Sequence, residues 1–159
     1  MRKPRQKGFD MNQHIIMRVN RGEMIFCSPI IKIMFILVLK EAKRKFKFRL
    51  KHYCVMSNHV HLIVRPYGGE DISRMMKWIS QTFAIRYNKL SGISGHVWGD
   101  RFTNIIIADS SYFNHAFDYI SQNPVKAGLA DKAENYFFSG LYYFIRNIFG
   151  LLDPGGYFS

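Results

Sequence analysis

Along the chain come a strand, a helix, two strands, a second helix, a fourth strand and a third helix. This order predicts an α+β domain built on a ferredoxin-like antiparallel sheet, with helices packed on one face. Two observations carry the reading. Apolar residues fall in helical stripes at i, i+3, i+4, i+7 in some segments and alternate with period two in others. Glycine and proline punctuate the boundaries between them. With 159 residues, 48% of them apolar, the chain is long enough for one domain with a buried core.

The first strand is expected over Gln13 to Val19, where side chains alternate. Ser28 then suits an N-cap and Pro29 the first turn of a helix. Ile31, Met34, Phe35 and Val38 form its apolar stripe. Lys40, Lys43, Arg44, Lys45 and Lys47 gather at its C-terminal end, where cations complement the helix dipole and can meet phosphates. Phe48 to Met56 reads as the second strand, Ser57-Asn58 as a tight turn, and the run to Val64 as the third. Gly68-Gly69 ends it. Asp71 to Leu90 reads as a long helix with Ile72, Met75, Ile79, Phe83 and Tyr87 inward, broken by Gly92 and Gly95. The fourth strand lies within Val97 to Ala108, strongest at Ile105-Ile106-Ile107. Asp109-Ser110-Ser111 caps a third helix expected to stop near Asn123-Pro124. The aromatic tail from Tyr136 to Phe149 reads as helical. Residues 1–11, with Arg2, Lys3, Arg5 and Lys7, read as a flexible basic arm, 12–150 as a single domain and 151–159 as a C-terminal tail.

Lys and Arg number 23 against 11 Asp and Glu, a formal net charge of +12 and a pI near 9.9. Such an excess favours a polyanionic partner, nucleic acid first among them. A merely basic domain or a binder of anionic membranes is the plainer alternative. The longest apolar run, Ile30 to Leu39, contains Lys32 and is too short to span a bilayer, so no membrane is expected. Cys27 and Cys54 show neither paired-ligand spacing nor a disulfide framework, and the first residues do not read as a secretory signal. A reduced, cytoplasmic protein is expected.

The chemistry concentrates in two places. In the third strand His59 and His61 are two residues apart and project from one face, while Val60, Leu62 and Val64 face the other. Paired imidazoles of this kind suit a metal or a phosphate, although an isolated His-x-His is more often a polar surface pair. In the third helix Phe113, Ala116, Phe117 and Ile120 form the core stripe. Beside it Tyr112, His115, Tyr119 and Asn123 form a second, polar stripe. Were that helix to cross the histidine face, Tyr119 would sit beside a divalent metal, Mg²⁺ or Mn²⁺, held by His59, His61 and Asn123. Its hydroxyl could then attack phosphorus and form a phosphotyrosine. The plainer reading makes Asn123 the N-cap of a short turn opened by Pro124 and closed by Gly128. Trp98, Arg101 and Phe102 form an aromatic–Arg–aromatic cluster suited to stacking unpaired bases, or else two core residues at strand spacing with a solvated arginine.

Three blocks then resemble a known family. They are Tyr53-Cys54-Val55-Met56-Ser57-Asn58-His59-Val60-His61-Leu62-Ile63-Val64, then Gly95-His96-Val97-Trp98-Gly99-Asp100-Arg101-Phe102, and Asp118-Tyr119-Ile120-Ser121-Gln122-Asn123-Pro124-Val125-Lys126-Ala127-Gly128-Leu129. In this order they resemble the single-tyrosine HUH transposases, and most of all the REP-associated tyrosine transposases. The resemblance runs from about residue 12 to about residue 146. It implies a ferredoxin-like sheet with the histidine pair on a central strand, His59 and His61 as metal ligands, Tyr119 as nucleophile and Asn123 at the third-ligand position, which is Gln in some relatives. It implies a bacterial, metal-dependent strand transferase that acts on single-stranded DNA with hairpin or palindromic repeats through a 5′-phosphotyrosine. His96 and Lys126, within the second and third blocks, join Trp98, Arg101 and Phe102 as candidate DNA contacts. The resemblance leaves monomer and homodimer both open. Two other functions stay in view: a non-catalytic single-stranded nucleic-acid-binding module, and a small metal-dependent phosphodiesterase that does not use Tyr119.

Overall fold

A computed structural model describes residues 10–153. The basic arm, except for its last two residues, and the final six residues of the chain lie outside the described residues. The order is β1 (Asn12–Arg18), α1 (Pro29–Lys45), β2 (Phe48–Val55), β3 (His59–Pro66), α2 (Ile72–Ser91), β4 (Thr103–Ile107), α3 (Ser110–Lys126) and a short α4 (Gly140–Phe144). The strands form one sheet in the order β2-β3-β1-β4, and every neighbouring pair is antiparallel. This is the expected ferredoxin-like arrangement, with the His59–His61 strand in the interior of the sheet.

The helices do not share one face. Ile15 and Met17 of β1 and Val60, Leu62 and Val64 of β3 point into the larger core. There they meet Phe35, Val38 and Leu39 of α1 and Met75, Ile79 and Phe83 of α2. The opposite face carries a second core of Cys54, Ile63 and Ile107 under Phe113, Ala116 and Ile120 of α3. The reason lies in the strands. Ile63, on the histidine side of β3, and Cys54 and Ile107 beside it are apolar, so that face also needs a cover. The apolar stripe of α3 supplies it, and α3 is thereby laid over the histidines.

A β-bulge makes the second strand contribute to the same face. Leu50 pairs with Val64 while His52 pairs with the adjacent Ile63, leaving Lys51 as the extra residue. Without that shift Leu50 and His52 would point to one side, because side-chain direction repeats every two residues. With it, Leu50 enters the larger core. His52 turns beneath α3, where its ring stacks on Phe117 with centroids 4.0 Å apart and its Nε2 lies 2.9 Å from the Ser121 hydroxyl.

Asp71 caps α2 by accepting from the Ser73 and Arg74 N–H groups, and Asp109 caps α3 by accepting from that of Tyr112. Ser28 sits at the N-cap of α1 but its side chain makes no capping bond. Against expectation, α3 runs through Pro124 to Lys126. Asn123 is therefore a helical residue one turn after Tyr119, not the N-cap of a new turn. Pro124 has no N–H to donate to the preceding turn, so α3 forgoes one bond there, and Gly128, at φ 72°, closes the chain after the last helical residues. The expected tail helix shrinks to Gly140–Phe144. The stretch before it serves the edge strand instead, with the Phe138 carbonyl accepting from the Val55 N–H at 3.0 Å. Farther on, Leu152 is buried, and the Asp153 carboxylate pairs with Lys43 and accepts from the Leu50 N–H. No helix among the described residues is long and apolar enough to cross a membrane.

One stability prediction arises here. A Cβ added to Gly140 would lie 2.8 Å from His52 Nδ1 and 3.2 Å from the Tyr53 backbone nitrogen. His52 is wholly buried, stacked on Phe117 and held at Nε2 by Ser121, so the ring has little room to retreat. Gly140→Ala is expected to destabilise the fold by about 1–3 kcal/mol, read as a lowered midpoint in urea. An unchanged midpoint would mean that α4 shifts freely on β2.

Candidate active site

His59 and His61 stand on β3 with ring centroids 4.9 Å apart. His61 is buried and His59 half-buried. Burial is the main reason that both imidazoles are held below the ordinary histidine pKa, His61 far below; the nearby His14 and His59 add to the effect on His61, and Arg18 to that on both. Burial thus favours the neutral imidazole in both, which carries one N–H and one lone pair. Their partners decide which nitrogen carries the hydrogen. The His59 Nδ1–H donates to Asn58 Oδ1 at 2.7 Å, which leaves the Nε2 lone pair free. His61 Nε2 lies 3.1 Å from Asn123 Nδ2 and accepts from it. Its Nδ1 lies 2.9 Å from His14 Nε2.

The third helix brings the polar stripe to this pair, as the four-residue spacing requires. The Tyr119 ring meets His61 edge-on, with centroids 5.9 Å apart and planes at 87°, and lies 6.4 Å from that of His14. Lys126 Nζ sits 5.5 Å from the centroid of the same tyrosine ring. Tyr119 is 46% exposed, so its hydroxyl is open to a large substrate. Tyr112 and His115, nearer the start of the helix, are exposed and no ring contact ties them to the histidines.

Donors suitable for a divalent cation are thus the free Nε2 lone pair of His59, the Nε2 lone pair of His61 once the Asn123 N–H turns off it, and the Asn123 amide oxygen. Among the described residues, no group of three or more His, Cys, Asp or Glu side chains is placed to hold a metal ion. The expected set holds only two such residues, its third member being Asn123. Two neutral imidazoles and an amide oxygen suit Mg²⁺ or Mn²⁺ less well than carboxylates would, yet they can hold such a cation with positions left open for phosphate oxygens. The amide oxygen of Asn123, on the same carbon as the nitrogen facing His61, is the donor it could offer.

The other candidate contacts divide. The segment after α2 pairs with the end of β1: the Asn20 N–H donates to the Val97 carbonyl at 2.8 Å and the Gly99 N–H to that of Arg18 at 3.0 Å. A cavity of about 510 Å³ opens there, lined by Arg18, Asn20, Arg21, Gly99, Arg101 and Thr103 among others. It adjoins the histidine face, because Arg18 pairs with His59 and Ile16 with His61 in the sheet register. Arg101, Arg18 and Arg21 are exposed. On the far side of Gly99–Arg101 a second cavity of about 410 Å³ is lined by Lys77, Gln81, Trp98 and Phe102. Trp98 is half-buried against Phe26, Phe35 and Phe83, with its indole N–H donated to the Ser80 carbonyl at 3.1 Å. It is largely a packing residue with one edge on this groove. Phe102 also packs partly on the larger core. His96 is exposed, and its carbonyl accepts from Asn20.

Arg18, Arg21, Asn58 and His14 were not singled out by sequence reasoning. His14 had the right parity in the first strand, sharing a face with Ile16 and Arg18, but only the β1–β3 register places it beside His61.

Comparison with known proteins points one way. The family profile described as "Transposase IS200 like" matches residues 7–123. A REP-associated tyrosine transposase of Escherichia coli strain K12 is 29% identical over 100 residues, covering 62% of this chain and 58% of that protein. The match therefore spans little more than half the length of that curated relative. The solved structure of a REP-associated tyrosine transposase bound to a REP hairpin superimposes with a TM-score of 0.78 at 23% identity, over 98% of this chain and 92% of the other. At that identity the likeness supports the fold.

Proposed function

The chain belongs to the IS200-like transposase family, and on that premise we propose that it cleaves and rejoins single-stranded DNA, with Tyr119 as nucleophile and hairpin-forming repeats as substrate. The observation that carries the proposal is the meeting of α3 with β3. Asn123 reaches His61 Nε2 at 3.1 Å while the ring of Tyr119, one turn earlier, leans on the same imidazole.

In this reading the Tyr119 oxygen attacks a backbone phosphorus. A bond from tyrosine oxygen to phosphorus forms and the bond from phosphorus to O3′ breaks. The tyrosine gives up its proton and the departing 3′ oxygen gains one. The fragment downstream of the break stays on Tyr119 through its 5′-phosphate, now a phosphodiester, and the upstream fragment leaves with a free 3′-hydroxyl. Attack by a 3′-hydroxyl reverses these changes and joins strands, with the number of phosphodiester bonds conserved throughout. His59, His61 and Asn123 would hold a divalent cation, and when bound it supplies charge stabilisation at the phosphate. Lys126, against the tyrosine ring, is placed to neutralise a neighbouring phosphate. The hairpin preference follows the relative solved with a REP hairpin.

The arginine-lined groove is the proposed track for the unpaired strand. Hairpin affinity is then expected to fall linearly with salt on logarithmic axes, by about 0.7 per single-strand phosphate contacted. Arg18→Ala and Arg101→Ala should each reduce that slope by about 0.7 without altering thermal stability. Fluorescence anisotropy at several salt concentrations reads it, and an unchanged slope removes that arginine from the track.

The proposal is tested by incubating the protein with single-stranded hairpin DNA labelled at its 3′ end in Mn²⁺ and separating the products on a denaturing gel. A labelled band at protein mass, absent with chelator, is expected. Cleavage that leaves no label on the protein would favour the phosphodiesterase reading, and tight binding without cleavage the binding module.

A further inference from the structure

We infer that His14 is a positioning residue: by accepting from the His61 Nδ1–H it supports, together with Asn123, the His61 tautomer whose Nε2 carries its lone pair on the site face. The inference rests on the proposed metal-site reading for its purpose, though not for its geometry.

Consider the hydrogens along the row His14, His61, Asn123. An amide nitrogen can only donate, so Asn123 Nδ2, 3.1 Å from His61 Nε2, requires a lone pair on that ring nitrogen. A neutral imidazole carries one N–H, which for His61 must then be at Nδ1. That hydrogen points at His14 Nε2, 2.9 Å away in a buried contact. His14 Nε2 must therefore accept, and its own hydrogen sits on Nδ1. With the amide nitrogen of Asn123 towards His61, one arrangement satisfies all three residues. In the other His61 tautomer, Nε2–H would confront an amide N–H, and one buried and one part-buried hydrogen bond would be lost or strained.

His14 is not itself a candidate ligand in this arrangement. Its Nε2 is turned to the buried contact with His61, and only 5% of the residue is exposed. It acts through His61, as Asn58 does through His59 by accepting from Nδ1 at 2.7 Å. Together the two partners present both Nε2 atoms as acceptors on one face of the sheet. The partners differ in origin. Asn58 precedes His59 in sequence, whereas His14 comes from the neighbouring strand and so ties the site to the sheet register.

The test combines side-chain ¹⁵N spectroscopy with Mn²⁺ binding, on the wild type, His14→Phe and His14→Gln. In the wild type without metal, His61 should show a protonated Nδ1 and a bare Nε2. His14→Phe, which keeps a ring beside Tyr119 but cannot accept, should give mixed His61 tautomers and Mn²⁺ affinity weakened by about 10- to 100-fold. Glutamine can place an amide oxygen near the position of His14 Nε2, so His14→Gln should restore most of the affinity and the Nδ1–H signal. A wild-type His61 protonated at Nε2 would overturn the assignment outright. So would His14→Phe with tautomer and Mn²⁺ affinity both unchanged, the fold being checked by thermal melting. If the wild type binds no Mn²⁺ at all, the metal reading fails, and the ¹⁵N signals of His61 alone decide the role of His14.

Discussion

Tyr119→Phe is expected to abolish covalent attachment to DNA and to slow strand cleavage by at least about 10⁴-fold, the scale on which loss of an enzymic nucleophile is felt. Hairpin affinity should stay within about threefold, because the substitution keeps everything but one oxygen. The phenylalanine ring can still meet His61 and His14 edge-on, and Lys126 can still lie against its face. Tyr119 is also 46% exposed, so no buried hydroxyl partner is lost. Rates from single-turnover cleavage, with anisotropy for affinity, separate the two quantities. Cleavage that survives in Tyr119→Phe would assign the chemistry to another oxygen, water among them.

The second large effect concerns the histidine pair. His59→Ala and His61→Ala are each expected to reduce cleavage by about 10³-fold or more, as removal of a chelatable cation should, since metal stabilisation of phosphoryl charge is worth several kcal/mol. The two variants should differ in stability. His59 is half-buried and bonded to its neighbour Asn58, so its loss is nearly neutral. Loss of His61 leaves His14 Nε2 and Asn123 Nδ2 facing each other across a small void, at a cost of about 1–3 kcal/mol. Equal activity loss with unequal stability loss would tie the defect to the site. Activity losses that merely track the unfolding midpoints would point to misfolding.

The fold was legible in the sequence because its signals are local. The Asp71 and Asp109 caps, the Ser57-Asn58 turn and the stripe from Phe113 to Ile120 each need only neighbouring residues, and the strand and helix order follows from them. The site was legible where two periodicities point: His59 with His61 by strand alternation, and Tyr119 with Asn123 by helical spacing. What could not be read depends on residues far apart in sequence. The bulge at Lys51, which turns His52 towards α3, is a property of how β2 meets β3. The second covered face arises because Ile63 and Ile107 come from different strands of one sheet. The extension of α3 beyond Pro124 runs against the usual meaning of proline in a helix. His14 carries no local mark at all; 47 residues separate it from the imidazole it touches.

The hydroxyl of Tyr119, which α3 brings to the histidine strand, is expected to become covalently joined to DNA. Peptide mass spectrometry after incubation with a short hairpin oligonucleotide and Mn²⁺ tests it most directly. A nucleotide-bearing peptide whose modified residue is Tyr119, and its disappearance when a free 3′-hydroxyl strand is added, is the predicted result. DNA cut with every peptide unmodified, or an adduct on any other residue, would contradict it.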